Sequence, residues 1–221
     1  MGKYQQGVFG PYSGRVGNVI GTFWKGRCVM RIRAANFTDA NSIAQQTQRM
    51  KWKLISSFLH ANDKLIKMGL AKADDTLTPY NVGMKINITK AVTGVFPELK
   101  LDATKLEIAK GSLANLTLPV VTSTVAGKIE IAWTDNSNNE GAKAEDKIYL
   151  SLLDTVTGEV VMHSPTETRI AEAMSITVPT SFRGHEIEVI GFCKMVNVTN
   201  VTSLDQVSDS AHYGTVVVAA A

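Results

Sequence analysis

Seven glycines fall within the first 26 residues, Gly2, Gly7, Gly10, Gly14, Gly17, Gly21 and Gly26, and no acidic residue interrupts them before Asp39. Glycine at this density admits tight turns and close backbone approach. It also loses so much conformational freedom on ordering that the segment cannot build a core unaided. Val8, Phe9, Val16, Val19, Ile20, Phe23 and Trp24 stand between the glycines. The segment therefore predicts an extended arm that needs a surface to lie on. Val29-Met-Arg-Ile-Arg alternates with period two, the pattern of a strand with an arginine-bearing face, and the arm as a whole has room for one or two strands.

Charge is divided unevenly along the chain. Residues 1–53 hold nine Lys or Arg against one acid, and the remainder holds fourteen against nineteen, so about +8 is followed by −5. Such a split serves nucleic-acid or membrane contact, and it serves equally a basic arm laid on a neighbouring subunit's acidic body. Arg15, Lys25, Arg27, Arg31 and Arg33 are spaced singly among glycine and apolar residues, which favours the neighbour. Tyr12, Phe23 and Trp24 interleave them, however, and cations with aromatic platforms also suit nucleic acid, which stays open as the lesser partner. The opening Met1-Gly-Lys-Tyr-Gln-Gln-Gly has no apolar signal region, and no run of about 18 apolar residues follows, so no membrane partner and an intracellular origin are expected. Cys28 and Cys193 show neither CxxC nor Cys/His spacing and are expected to be free thiols.

Downstream of the arm the periodicity changes twice. Thr38-Asp-Ala-Asn-Ser offers several N-caps, and Ile43, Thr47, Met50, Leu54, Phe58 and Leu65 recur at helical spacing, predicting a helix to about Met68 with Gly69 as its C′ residue. Trp52, Ile55 and Leu59 widen the apolar surface beyond one stripe, which predicts packing on two partners; the alternative is a core helix under its own sandwich. Pro79 near an N1 position, with Val82, Ile86 and Val92, predicts a shorter second helix, and Phe96-Pro97 reads as a break. Beyond residue 100 strands dominate: Lys105-Leu-Glu-Ile, Leu116 to Val121, Lys128 to Trp133 with Ile129, Ile131 and Trp133 on one face, Lys147 to Asp154, Glu159 to Met162, Met174 to Pro179, His185 to Phe192, and Tyr213 to Val218. About seven short strands separated by turns make a two-sheet sandwich. The expected fold is α+β, mainly β: a Gly-rich basic arm over 1–37, a helical segment over 38–99, and an immunoglobulin-like or fibronectin-III-like sandwich over 100–221.

Two resemblances add to this reading. Ala132-Trp-Thr-Asp, then a strand pair, Val178-Pro-x-x-x-x-Gly and Val207-Ser-Asp-Ser-x-x-Tyr-Gly-Thr-Val resemble a fibronectin-III sandwich. The run Gly10-Pro-Tyr-Ser-Gly-Arg-Val-Gly-Asn-Val-Ile-Gly, with Trp24-Lys-Gly and an Arg-rich strand after it, is similar to the opening of an uncharacterised family of Bacteroidetes genomes and their phages, with the signature GP(F/Y)SG(K/R)VG…WKG. That resemblance implies a virion protein of crAss-like gut phages, made in the host cytoplasm: a ring-forming tail hub or connector subunit that contacts other copies and other virion proteins. It implies no catalytic residue.

Enzyme chemistry finds little footing in the residues themselves. His60, His163, His185 and His212 fall in different elements without HExxH or Gly-x-Ser-x-Gly, and the pairs Asp74-Asp75, Glu145-Asp146 and Glu186/Glu188 sit in polar loops or on outer strand faces. Gly10-x-x-x-Gly14-x-x-Gly17 lacks the Gly-Lys-Ser/Thr and the preceding strand of a phosphate loop. A non-enzymatic structural subunit without cofactor, metal or catalytic residues is expected. Its interface residues are expected to be Phe9, Tyr12, Arg15, Val19, Phe23, Trp24, Arg27, Arg31 and Arg33. The alternative is a binding module whose sandwich loops, notably Asn136 to Glu145, grip a glycan or host-surface protein.

Overall fold

The computed structural model describes residues 2–4, 7, 10–33, 39–139, 141–163, 165, 167–196, 203 and 206–220. The chain divides into two compact units, Met1–Ser42 and Ile43–Ala221, with no division near residue 100. In the first, β1 (Lys3–Tyr4), β2 (Tyr12–Val16), β3 (Val19–Trp24) and β4 (Arg27–Ile32) form one antiparallel sheet in chain order. This corrects the expected extended arm of one or two strands. Two of the glycines make connections: Gly17-Asn18 and Lys25-Gly26 are two-residue turns, with φ of +58° at Gly17, +45° at Lys25 and +76° at Gly26, the left-handed values that hairpins matched to strand twist demand.

The second unit begins with α1 (Ile43–Ala61) and α2 (Asp63–Gly69), then α3 (Pro79–Lys90) and the hairpin of β5 (Val92–Val95) and β6 (Glu98–Leu101). The single long helix expected to Met68 is interrupted at Asn62. That residue is wholly buried, and its amide Nδ2 donates to Phe58 O at 3.1 Å, the local side-chain bond by which Asn disturbs a helix interior. Gly69 closes α2 from inside the helix rather than following it as a C′ residue. A Cβ there would stand 2.5 Å from Ile108 O, so the glycine serves close approach of the next segment, whose Lys110 N–H donates to Gly69 O. Pro79 takes the N1 position of α3, and the Thr78 hydroxyl caps it by accepting from Asn81 N–H. Phe96-Pro97 is the tip of the β5–β6 hairpin.

Lys105-Leu-Glu-Ile is no strand: a 3-10 turn (Ala103–Lys105) leads into an irregular segment in which Leu106 and Ile108 are buried. Asn87 holds this segment by exchanging hydrogen bonds with the Glu107 backbone in both directions. The seven strands of the sandwich then follow as β7 (Thr117–Thr122), β8 (Lys128–Thr134), β9 (Lys147–Asp154), β10 (Val160–His163), β11 (Ala173–Thr177), β12 (Glu186–Lys194) and β13 (Ala211–Val217). One sheet has the order β11-β8-β7 and the other β10-β9-β12-β13, all antiparallel, so the connections β8 to β9, β10 to β11 and β11 to β12 cross between sheets.

Two cores lie on opposite faces of the four-stranded sheet. Ile148, Leu150, Leu152, Ile187 and Val189 face Ile129, Ile131, Trp133, Met174 and Ile176 of the other sheet. Tyr149, Leu153, Ile190 and Phe192 face the helices, packing with Ile55, Phe58, Leu59, Ile66 and Val82. The unit is therefore three layers, helices on sheet on sheet. Gly191 makes the inner packing possible, because a Cβ there would run into the Tyr213 ring and Leu150.

Candidate assembly surface

The sheet of the first unit is a single layer with two chemically different faces. Register sets them: Gly14 pairs with Gly21 and Val16 with Val19, while Gly21 pairs with Met30 and Phe23 with Cys28. Since successive side chains alternate, Tyr12, Val16, Val19, Phe23, Cys28, Met30 and Ile32 share one face, which bears no charge. Gly21 lies under the Tyr12 ring and is buried, alone among the described residues of this unit. Met30 is 68% exposed and Ile32 79%.

The opposite face is cationic. Arg15, Ile20 and Arg31 form one cross-strand row, and Trp24 and Arg27 another. Arg33 follows in the same alternation, its N–H donating to Asn18 O at 2.8 Å. Arg15 Nε donates to Gly17 O at 3.0 Å, which fixes that guanidinium beside the turn. Among the described residues, Arg27, Arg31 and Arg33 take part in none of the ion pairs.

The predicted interface residues thus separate onto two surfaces. Tyr12, Val19 and Phe23 stand on the uncharged face, and Arg15, Trp24, Arg27, Arg31 and Arg33 on the cationic one. Phe9 lies outside the described residues. Val16, Met30 and Ile32 escaped the sequence reading, although the alternation that exposes the arginines of Val29–Arg33 also puts Met30 and Ile32 together on the reverse side.

In the second unit one buried cluster of polar side chains ties loops to strands. Arg169 is fully buried and donates from Nη1 to Asn136 Oδ1 at 2.6 Å, and from Nη2 to Ala114 O at 2.8 Å and Asp146 Oδ2 at 3.2 Å. Trp133 Nε1 donates to Arg169 O, and Tyr213 Oη donates to Asn115 Oδ1, each joining a strand to this knot. Asn136 and Asp146 bracket the loop considered for ligand binding, so both of its ends are clamped in the interior. Burial pushes the Cys193 thiol up to about 11, which keeps it protonated at neutral pH. His185 Nδ1 lies 2.8 Å from Asp154 Oδ2, and His212 Nε2 lies 2.5 Å from Glu188 Oε2. Among the described residues no three His, Cys, Asp or Glu side chains converge as a metal site would require, and no helix is long and apolar enough to cross a membrane.

A three-stranded sheet packed on a four-stranded one, with cross-sheet connections, defines a β-sandwich of the immunoglobulin and fibronectin-III class, here backed by a helical layer and preceded by a strand meander. The chain belongs to DUF6266, a family of unknown function whose pattern it matches over residues 11–205, across both units. It is also similar to the solution structure of the fn3 domain of human collagen alpha-1(XX) chain, at 9% identity and a TM-score of 0.37 over 50% of this chain and 89% of that one. No curated protein matches the chain.

Proposed function

We propose that the protein is a non-enzymatic structural subunit of a tailed-phage virion, in which the N-terminal sheet joins each copy to its neighbours in a ring of the tail hub or connector. The observation that carries this is the single-layer sheet with an exposed uncharged face and an exposed cationic face. Sheets of this size need their apolar side covered to be stable, and a basic surface calls for an acidic partner. The placement in a virion rests on the resemblance of the Gly10-Pro-Tyr-Ser-Gly-Arg-Val-Gly run and Trp24-Lys-Gly to phage-borne sequences.

Area argues for repeated contact on both faces. Three strands of about six residues cover about 280 Å² a side, from a spacing of about 4.8 Å and a rise of about 3.3 Å. A stable pairwise interface needs about 800 Å² from each partner. Even both faces together, about 560 Å², fall short of this, so the sheet holds neighbours only through contacts repeated around a ring. A head-to-tail arrangement of this kind closes when its rotation does.

Light scattering on the full chain, on a variant lacking residues 2–34, and on Met30→Asp/Ile32→Asp tests the assembly role. The full chain should run as a multimer and both variants as monomers; an unchanged mass in the variants defeats the proposal. Mass spectrometry of purified phage particles should find the chain at ring-like copy number.

A further inference from the structure

We propose that the acceptor for this sheet is a groove on the body of a second copy, running between α1, β6 and the β9–β10 turn, into which the tip of the β3–β4 hairpin inserts; this rests on the assembly role above. Two adjoining cavities of about 520 and 470 Å³ form the groove and share Leu54, Leu101, Leu153, Thr157 and Gly158. Their size is that of an ordinary binding cleft, roughly 300–1,000 Å³. Met50 and Phe58 extend the apolar floor along α1. Trp52, 53% exposed, lies beside Arg49 on the same helix; of the residues that widened the helix's apolar surface, Ile55 and Leu59 are buried and Trp52 alone stays open.

Both signs of charge line the groove: Arg49 and Lys53 belong to the first cavity, and Glu186 and Glu188, with Lys100, to the second. Glu188 is held in place by His212 and by the Thr215 hydroxyl, which donates at 2.8 Å. The Glu186 carboxylate has no hydrogen bond or ion pair among the described residues, so it is available to a partner.

The hairpin tip has matching chemistry. Phe23 and Trp24, 37% and 54% exposed, project from opposite faces beside the Lys25-Gly26 turn, and Arg27 lies directly across from Trp24. The tip has two cations, no acid and one large ring on the cationic face, the composition that dominates binding energy at interfaces. With Trp24 on the apolar floor, Lys25 and Arg27 can meet Glu186 and Glu188 at the cavity those carboxylates line, while Arg49 and Lys53 line the adjoining one. A hairpin tip seated in a groove joins two different surfaces, so the contact between copies is head-to-tail.

A charge swap on full-length chains tests the inference. Lys25→Glu/Arg27→Glu should weaken assembly at least tenfold in light scattering, as should Glu186→Lys/Glu188→Lys. Mixing these two variants, or combining all four changes in one chain, should restore it. Trp24→Ala should also weaken assembly. Glu186→Lys alone, at an exposed position, serves if loss of the His212 contact lowers the melting temperature of the double variant. If the groove variants assemble like the wild type while Met30→Asp/Ile32→Asp does not, the groove is wrong and the assembly role stands. Failure of the swap to restore assembly also overturns the groove. A wild-type chain that stays monomeric, or multimerises only with another particle protein, overturns the second copy as occupant.

Discussion

Arg169 Nη2 and Asp146 Oδ2 form an ion pair at 3.2 Å with both side chains shut off from solvent. Arg169 is further bound to Ala114 O, Asn115 O and Asn136, so one guanidinium ties the segment before β7 and both ends of the β8–β9 loop to its own. Removing one partner of such a pair strands the other charge in the interior. Asp146→Ala should therefore cost about 3–5 kcal/mol of unfolding free energy. Arg169→Met/Asp146→Leu should cost less than Asp146→Ala alone, since no charge is left behind. Urea midpoints of the three proteins decide it, and an Asp146→Ala loss below about 1 kcal/mol would show that the pair contributes little.

Gly69 is predicted to be intolerant of any side chain. Its missing Cβ leaves room for Ile108 O and Ala109, which would lie 2.5 and 2.6 Å from an alanine methyl. Relief requires moving backbone that is tied to Gly69 O through Lys110, so Gly69→Ala should destabilise by about 1–3 kcal/mol despite alanine's better helix propensity. Thermal melts of the two proteins check the sign, and a stabilised variant would refute the packing argument.

The strands of the sandwich were legible because alternation survives where one face is buried: Ile129, Ile131 and Trp133 are inward as the period-two pattern requires. The helical layer's position was legible only as one of two alternatives, a core helix under its own sandwich, although a firmer mark is present. Ile148-Tyr-Leu-Ser-Leu-Leu and Ile187 to Cys193 are near-continuous apolar runs, which is what a strand covered on both faces looks like. Lys105-Leu-Glu-Ile misled for the opposite reason, since its alternation comes from two anchors, Leu106 and Ile108, set in a loop that hydrogen-bonds to Asn87 and Ser210 instead of a strand. In the N-terminal unit the arginine-bearing strand could be read from its own residues. Its sheet could not, because pairing depends on the turns at Gly17-Asn18 and Lys25-Gly26. Those turn signals sat among too many other glycines to stand out.

Asp154 gives the fold an acid sensitivity. Burial works to raise its pKa, but hydrogen bonds from the Thr157 hydroxyl, His185 and the N–H groups of Val156 and Thr157 outweigh it, and the net shift is downward. A carboxyl held lower in the folded state stabilises the fold above its ordinary value of 3.8 and loses that contribution as pH falls through the lower folded value. The stability gap between wild type and Asp154→Asn should be widest near neutral pH and should shrink between about pH 4 and pH 2. Urea unfolding at pH 7 and pH 3 measures the gap, and a pH-independent difference would exclude the ionised carboxylate as its source.

The two thiols report separately on the core and on the proposed assembly surface. Cys193 is buried between the sheets with its pKa raised to about 11, while Cys28 is exposed on the uncharged face, across from Phe23. Reactivity follows thiolate fraction and access, so an alkylating reagent should modify Cys28 and leave Cys193 untouched until the sandwich unfolds. Neighbours that cover the uncharged face also cover Cys28. Its modification should then slow by at least an order of magnitude in the multimer relative to Met30→Asp/Ile32→Asp, in which the face is freed. Time-resolved mass spectrometry of the labelled chain follows both sites at once. Equal Cys28 rates in the multimer and the monomeric variant would mean that the copies meet elsewhere and leave this face bare.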